Sequence, residues 1–248
     1  MDYNCRVFDY PAGQHVTFYK QTIHSGELKN DNFKKTYQRE RTEKEEKHCL
    51  TVSLKNTKNR IYQIARSNTW EWFITLTFDR QKTDSSDYDE IVKKLTKYLN
   101  NFQQRKCPDL KYLIVPELHA DGEHYHFHGL LSDCDGLHFA YSGHNDRKSG
   151  KPIFNIKDWT LGFTTATRVE DTGKVSSYIT KYMTKSTVKY LKNKKRYYAS
   201  HNIDVTEAEF YVMDEEEFQQ IYANYITYCK TVDIPKAHQR VTYYELKN

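Results

Sequence analysis

The sequence predicts an α+β fold: an antiparallel sheet with helices packed on one face. Three observations carry this. Trp72-Phe73-Ile74-Thr75-Leu76-Thr77-Phe78 alternates bulky apolar residues with threonines, residues 113–131 have the pattern of a hairpin, and apolar residues at helical spacing lie between the two. Residues 163–169 form a further β-branched strand pattern and residues 173–185 a helix, giving the order strand, helix, strand, strand, strand, helix.

Residues 30–47 are almost entirely polar, with Glu40 and Lys44, then Glu43 and Lys47, at the favourable i, i+4 spacing, which predicts an exposed helix with little to bury. Leu54, Ile61 and Ile64 predict a second, more amphipathic helix over 50–67. Asp87 and Glu90 make a capping signal, and Ile91, Leu95, Tyr98, Leu99 and Phe102 follow at helical spacing. Residues 132–157, polar and glycine-containing, are expected to be a loop. Asp214 and Glu217 cap a last helix with Phe218, Ile221, Tyr222, Tyr225 and Cys229 on one side. The resulting division is a charged, largely helical extension over 1–64, a core domain over 65–205, and a helical extension over 206–248 that packs on the core.

Composition narrows the function classes. The five cysteines have no C-x-x-C and no framework spacing, so neither a zinc knuckle nor a disulfide scaffold is expected. No apolar run approaches the roughly 18 residues of a membrane span, and the N-terminus has no apolar signal segment. A cytoplasmic, reduced protein without membrane partners is the expectation. There is no G-x-x-x-x-G-K-[ST] loop and hence no recognisable NTPase engine. The net charge of +5 is mild, but Lys189, Lys192, Lys194, Lys195 and Arg196 are concentrated in eight residues, with Tyr190, Tyr197 and Tyr198 among or beside them. Cations that follow phosphates next to rings that stack on bases suit single-stranded nucleic acid, while a solvated lysine-rich loop is the plain alternative.

His124-Tyr125-His126-Phe127-His128 puts three imidazoles on one face of a strand, because alternate residues project the same way. With eleven histidines in the chain an H-x-H can arise by chance. The preceding strand, however, ends in Glu117-Leu118-His119, and Asp121-Gly122 lies between the two runs as a hairpin signal. Antiparallel pairing around that loop sets Glu117 opposite His126 and His119 opposite His124. One carboxylate and several imidazoles on one face point to a metal site.

In the helix predicted over 173–185, Val175, Ile179 and Met183 form an apolar stripe, and Tyr178, Lys181, Tyr182 and Lys185 fall in a neighbouring arc. Aromatic packing with snorkelling lysines would explain this by itself. Beside a metal face, a phenol next to lysine ammonium groups can attack a polarised phosphodiester.

Taken in order, the strand Phe73-Ile74-Thr75-Leu76-Thr77-Phe78, the motif His126-Phe127-His128 and the helix Tyr178-x-x-Lys181-Tyr182-x-x-Lys185 resemble the three motifs of HUH endonucleases. More narrowly, the set is similar to rolling-circle replication initiators of small phages, plasmids and related integrated elements. The resemblance covers roughly residues 65–205. It implies a ferredoxin-like or RRM-like sheet and a single-strand DNA nickase and strand transferase that leaves a 5′-phosphotyrosine and a free 3′-hydroxyl. It further implies Mn²⁺ or Mg²⁺ held by His126, His128 and Glu117, attack by Tyr178 with Lys181 beside it, and Tyr182 as a second tyrosine. His119 and His124 share the expected face and leave the third ligand open. The implied partners are single-stranded or hairpin origin DNA, a separate helicase and a host replication polymerase. A paired-tyrosine transposase or relaxase would share the chemistry, a non-catalytic single-strand nucleic-acid-binding module would use the same rings for stacking, and a zinc hydrolase would leave the tyrosine helix idle.

Overall fold

Alternation along one strand separates the two faces of the central sheet. Trp72, Ile74, Leu76 and Phe78 project to one side and are buried, whereas Phe73, Thr75 and Thr77 project to the other. The computed structural model describes residues 1–24 and 42–247. In chain order its elements are β1 (Asp2–Tyr10), β2 (Gly13–His24), α1 (Glu43–Arg66), β3 (Trp72–Phe78), α2 (Tyr88–Arg105), β4 (Tyr112–Leu118), β5 (Tyr125–Leu131), β6 (Phe139–Asn145) and β7 (Pro152–Ile156). There follow β8 (Gly162–Arg168), α3 (Thr172–Ile179), α4 (Lys185–Tyr190), β9 (Tyr198–Ala199), β10 (Glu209–Tyr211), α5 (Glu215–Tyr222), β11 (Ile226–Ile234) and β12 (Gln239–Leu246).

Residues 43–204 form one compact unit, and the described residues at the two ends of the chain form another. The α+β class with antiparallel sheets holds in both. In the larger unit seven strands run in the order β6-β7-β8-β3-β5-β4-β9. The Asp87 side chain accepts hydrogen bonds from the Asp89 and Glu90 backbone amides and so starts α2, a cap worth about 1 kcal/mol. Ile91, Leu95, Leu99 and Phe102 of α2 then join Trp72, Ile74, Leu76 and Phe78 in one apolar core. On β4, Ile114 belongs to that core, while its neighbours Leu113 and Val115 alternate to the other face and are fully buried as well. There α1 packs against α3 and α4, and both α1 and α4 touch β4. Helices therefore cover both faces, and the expected one-sided arrangement describes α2 alone.

Several expectations change in detail. The helix expected over 30–47 lies largely outside the described residues, and its last positions, from Glu43, continue without a break into the helix expected over 50–67 as α1. Residues 132–157, expected as a loop, contain the hairpin β6–β7 that extends the sheet beyond β8. Phe139 stacks on Trp72 with centroids 3.7 Å apart, and Phe154 meets the same indole edge-on. The polar composition of that segment reflects its exposed outer face rather than absence of strand. Cys107, just after α2, and Cys134, just after β5, form a disulfide where reduced thiols were expected. They are 27 residues apart, and the antiparallel topology, not a sequence motif, brings them together.

The ends of the chain were expected to be helical extensions. The described residues there instead form a five-stranded sheet, β10-β1-β2-β12-β11, with α5 as its one α-helix. The cap at Asp214 is present, its side chain accepting from the Glu217 amide, but α5 ends at Tyr222, and Cys229 lies in β11. Phe218 is the residue of α5 that enters the core, with Val16, Phe18, Tyr244 and Leu246. β-Pairing of β11 with β12 overrides the apparent helical spacing of Tyr225 and Cys229.

Gly129 shows how tightly the central strands fit. It pairs with Ile74 on one side and Ile114 on the other, and a Cβ there would lie 2.3 Å from Ile114 Cδ1 and 3.2 Å from both Ile74 Cγ1 and the Leu113 carbonyl oxygen. Replacing Gly129 with alanine should destabilise the larger unit by about 1–3 kcal/mol through overpacking, measured as a shift in denaturant midpoint. An unchanged midpoint would show that the isoleucines repack freely.

Candidate active site

β4 and β5 pair so that Glu117 stands opposite His126 and Val115 opposite His128. Residues of one face on adjacent strands are neighbours, and the carboxylate reaches both imidazoles. Glu117 Oε2 lies 2.7 Å from His126 Nε2 and 2.7 Å from His128 Nε2. One donor atom from each residue falls within 4.8 Å of the others, so the set can close around a single divalent ion. Burial alone would raise the Glu117 carboxyl, but the hydrogen bonds from His128 and His126 outweigh it and hold its pKa below the ordinary value. Burial lowers the pKa of His128 against the pull of Glu117. An ionised carboxylate and a neutral imidazole are the forms that bind metal.

The tyrosine segment follows a path that helical projection did not predict. α3 is capped by Asp171 and ends at Ile179, a 3₁₀ turn covers Thr180–Tyr182, Met183 is extended, and Thr184 caps α4. The Thr180 hydroxyl donates to the Ser177 carbonyl and Thr184 Oγ1 accepts from the Thr187 amide. Threonines with such local partners compete with a continuous helix. Ile179 and Met183 are fully buried, with Ser176 rather than Val175 completing the inward face. Tyr182 lies flat on His128, ring centroids 3.5 Å apart, and Tyr178 meets Tyr182 edge-on at 5.5 Å. Burial, then the hydrogen bond with Tyr178, pushes the Tyr182 phenol well above its ordinary pKa. Tyr178 is 43% exposed, and Lys181 Nζ lies 4.8 Å from the centre of its ring. Lys185 is exposed at the start of α4, separated from α3 by the break.

His119 and His124 lie at the hairpin tip. Their Nδ1 atoms are 3.4 and 3.0 Å from Asp121 Oδ2, and Arg80 Nη2 also reaches that oxygen at 3.3 Å. The Glu123 and His124 amides hold Asp121 far below the usual carboxylate range. These two histidines thus have a partner of their own and stand outside the triad, although the His119 ring approaches His126 edge-on. Thr75 was not singled out from the sequence, yet its Oγ1 lies 3.1 Å from His128 Nδ1. Phe163 was also missed. It pairs with Thr77 across β3 and β8, which puts it on the face of the triad, and it is 72% exposed. An exposed phenylalanine in an alternating strand was its only sequence signal.

The basic run is divided by its contacts. Arg196 Nη1 donates to Ser53 Oγ and Thr57 Oγ1 of α1, and Lys194 pairs with Asp89 at 2.8 Å. Lys195 lies over the Tyr198 ring, and Lys189 and Lys192 are exposed. Tyr198 is buried in β9, its hydroxyl 3.1 Å from that of Tyr88.

The region from β3 to the start of α4 is also where similarity to known proteins lies. Residues 71–187 match the family model of the replication-associated protein ORF2. No curated protein and no solved structure matches the chain. The matched segment contains the triad, both tyrosines, Lys181 and Lys185. Among the described residues no helix is long and apolar enough to cross a membrane.

Two outcomes follow from this geometry. Glu117→Ala should weaken Mn²⁺ binding, measured by calorimetry, far more than His119→Ala, and the reverse order would move the third ligand to the hairpin tip. Arg196→Ser should cost about 1–3 kcal/mol of stability through its lost hydrogen bonds, whereas Lys189→Ser with Lys192→Ser should leave stability unchanged and reduce the salt dependence of single-strand binding by up to ~0.7 log units of slope per lost contact.

Proposed function

We propose that this chain is a rolling-circle replication initiator that nicks single-stranded or hairpin origin DNA and remains attached to it. The observation that carries the proposal is the packing of the tyrosine pair on the triad, with Tyr182 stacked on His128 and Tyr178 next to it. The match of residues 71–187 to a replication-associated family supports the same reading. A divalent ion, Mn²⁺ or Mg²⁺, held by Glu117, His126 and His128 would polarise the scissile phosphate.

The protein's own groups have distinct tasks. Tyr178, the more exposed phenol, attacks phosphorus; the bond to the 3′ oxygen breaks, that oxygen takes up a proton, and the 5′ phosphate stays on Tyr178. Lys181, beside the ring, offsets charge on the attacking oxygen and the phosphate. The phosphotyrosine ester conserves the energy of the broken bond, so no nucleotide is consumed, and the released 3′-hydroxyl can prime a host polymerase while a separate helicase unwinds the duplex. Tyr182 is held protonated by its surroundings and serves the second transfer, once Tyr178 is esterified. Phe163 offers a ring for a base on the same face.

The test is to incubate the protein with a pool of single-stranded DNA and Mn²⁺ and look for a covalent adduct. Tyr178→Phe should abolish the adduct. Tyr182→Phe should still form it but fail to release a closed circle. Peptide mapping of DNA on Tyr182 after the first cleavage would reverse the two roles. Cleavage with DNA on neither tyrosine would make water the nucleophile and overturn the proposal, and binding without cleavage would favour a non-catalytic module.

A further inference from the structure

The His128 imidazole is held from three directions. Its Nε2 faces Glu117 Oε2 at 2.7 Å, Tyr182 covers its ring, and its Nδ1 lies 3.1 Å from Thr75 Oγ1. Thr75 and His128 are direct partners in the β3–β5 pairing, so the sheet itself brings hydroxyl and ring together. A neutral imidazole carries one N–H, and coordination through Nε2 requires that proton on Nδ1. There it needs an acceptor, because His128 is buried. Thr75 Oγ1 provides one. When Nε2 carries the proton and donates to Glu117, the same hydroxyl can turn and donate to Nδ1. A carbonyl or carboxylate could serve the first arrangement only.

We propose that Thr75 is a positioning residue of the metal site, fixing both the ring orientation of His128 and the Nδ1-protonated tautomer that leaves Nε2 for the ion. The inference rests on the metal-site reading of Glu117, His126 and His128 given above. Between the two arrangements one proton leaves Nε2 and one arrives at Nδ1, so the charge of the ring is unchanged. Phe73, on the same strand face, also packs near His128 with centroids 6.0 Å apart, but a phenyl ring accepts no such hydrogen bond and cannot select a tautomer.

The experiment compares wild type, Thr75→Val and Thr75→Ser in the full chain without DNA, titrating each with Mn²⁺ by calorimetry and recording its melting temperature. Valine keeps the β-branched shape and loses the hydroxyl; serine keeps the hydroxyl. Thr75→Val should bind Mn²⁺ about 10–100-fold more weakly, and Thr75→Ser should stay near wild type. Equal affinity of Thr75→Val and wild type would overturn the proposal. A second measurement serves if the valine variant does not fold: nitrogen-15 spectra of the wild-type imidazoles with Mg²⁺ should show the His128 proton on Nδ1, and a proton on Nε2 would overturn it. Absence of a DNA adduct would refute the nickase while leaving these outcomes intact. Absence of Mn²⁺ binding by the wild type would overturn both.

Discussion

A carboxylate shared by two imidazoles is the contact around which the larger unit is organised. It exists because β4 and β5 pair with Glu117 opposite His126, and because a strand returns to the same face every second residue. A slip of one residue would turn both histidines into the α2 core and Phe127 out to the surface. The core therefore protects the site's register. Phe127, Ile114 and Ile74 are fully buried under the same strands that carry the ligands, and their burial opposes any slip.

The second constraint is the interruption after α3. A continuous helix would keep Tyr178 and Tyr182 one turn apart on a single cylinder, with a rise of about 6 Å. The threonines at 180 and 184 end that cylinder early, and burial of Ile179 and Met183 anchors the segment on both sides of the break. Tyr182 thereby turns onto His128, and Tyr178 keeps its exposure. Two residues of the same type, four apart, acquire different surroundings: one phenol is half-buried near a carboxylate, the other stands under a lysine ammonium.

Charge is divided between structure and surface in a similar way. Within one short basic run, Arg196 ties the chain to α1 and Lys194 to the first turn of α2, while Lys189 and Lys192 stay in solvent. Counting cations along the sequence treats these as equivalent. Their partners come from residues over a hundred positions away, and only chain folding reveals which cations are already engaged.

What the sequence determined by itself was everything governed by short periods and local caps. β3, the α2 cap at Asp87, the hairpin strands and the gathering of Glu117, His126 and His128 are all legible because alternation and capping act within a few residues. The β6–β7 hairpin and the five-stranded terminal sheet were not, because exposed or mixed strands carry little apolar alternation and depend on partners remote in sequence. The same holds for the separation of His119 and His124 from the triad, which depends on Asp121 competing for them, and for Thr75, whose hydroxyl matters only because β3 lies next to β5. Local pattern specifies which side a residue faces. Tertiary structure alone decides what it meets there, since that contact depends on the pairing of segments that no short stretch of chain contains.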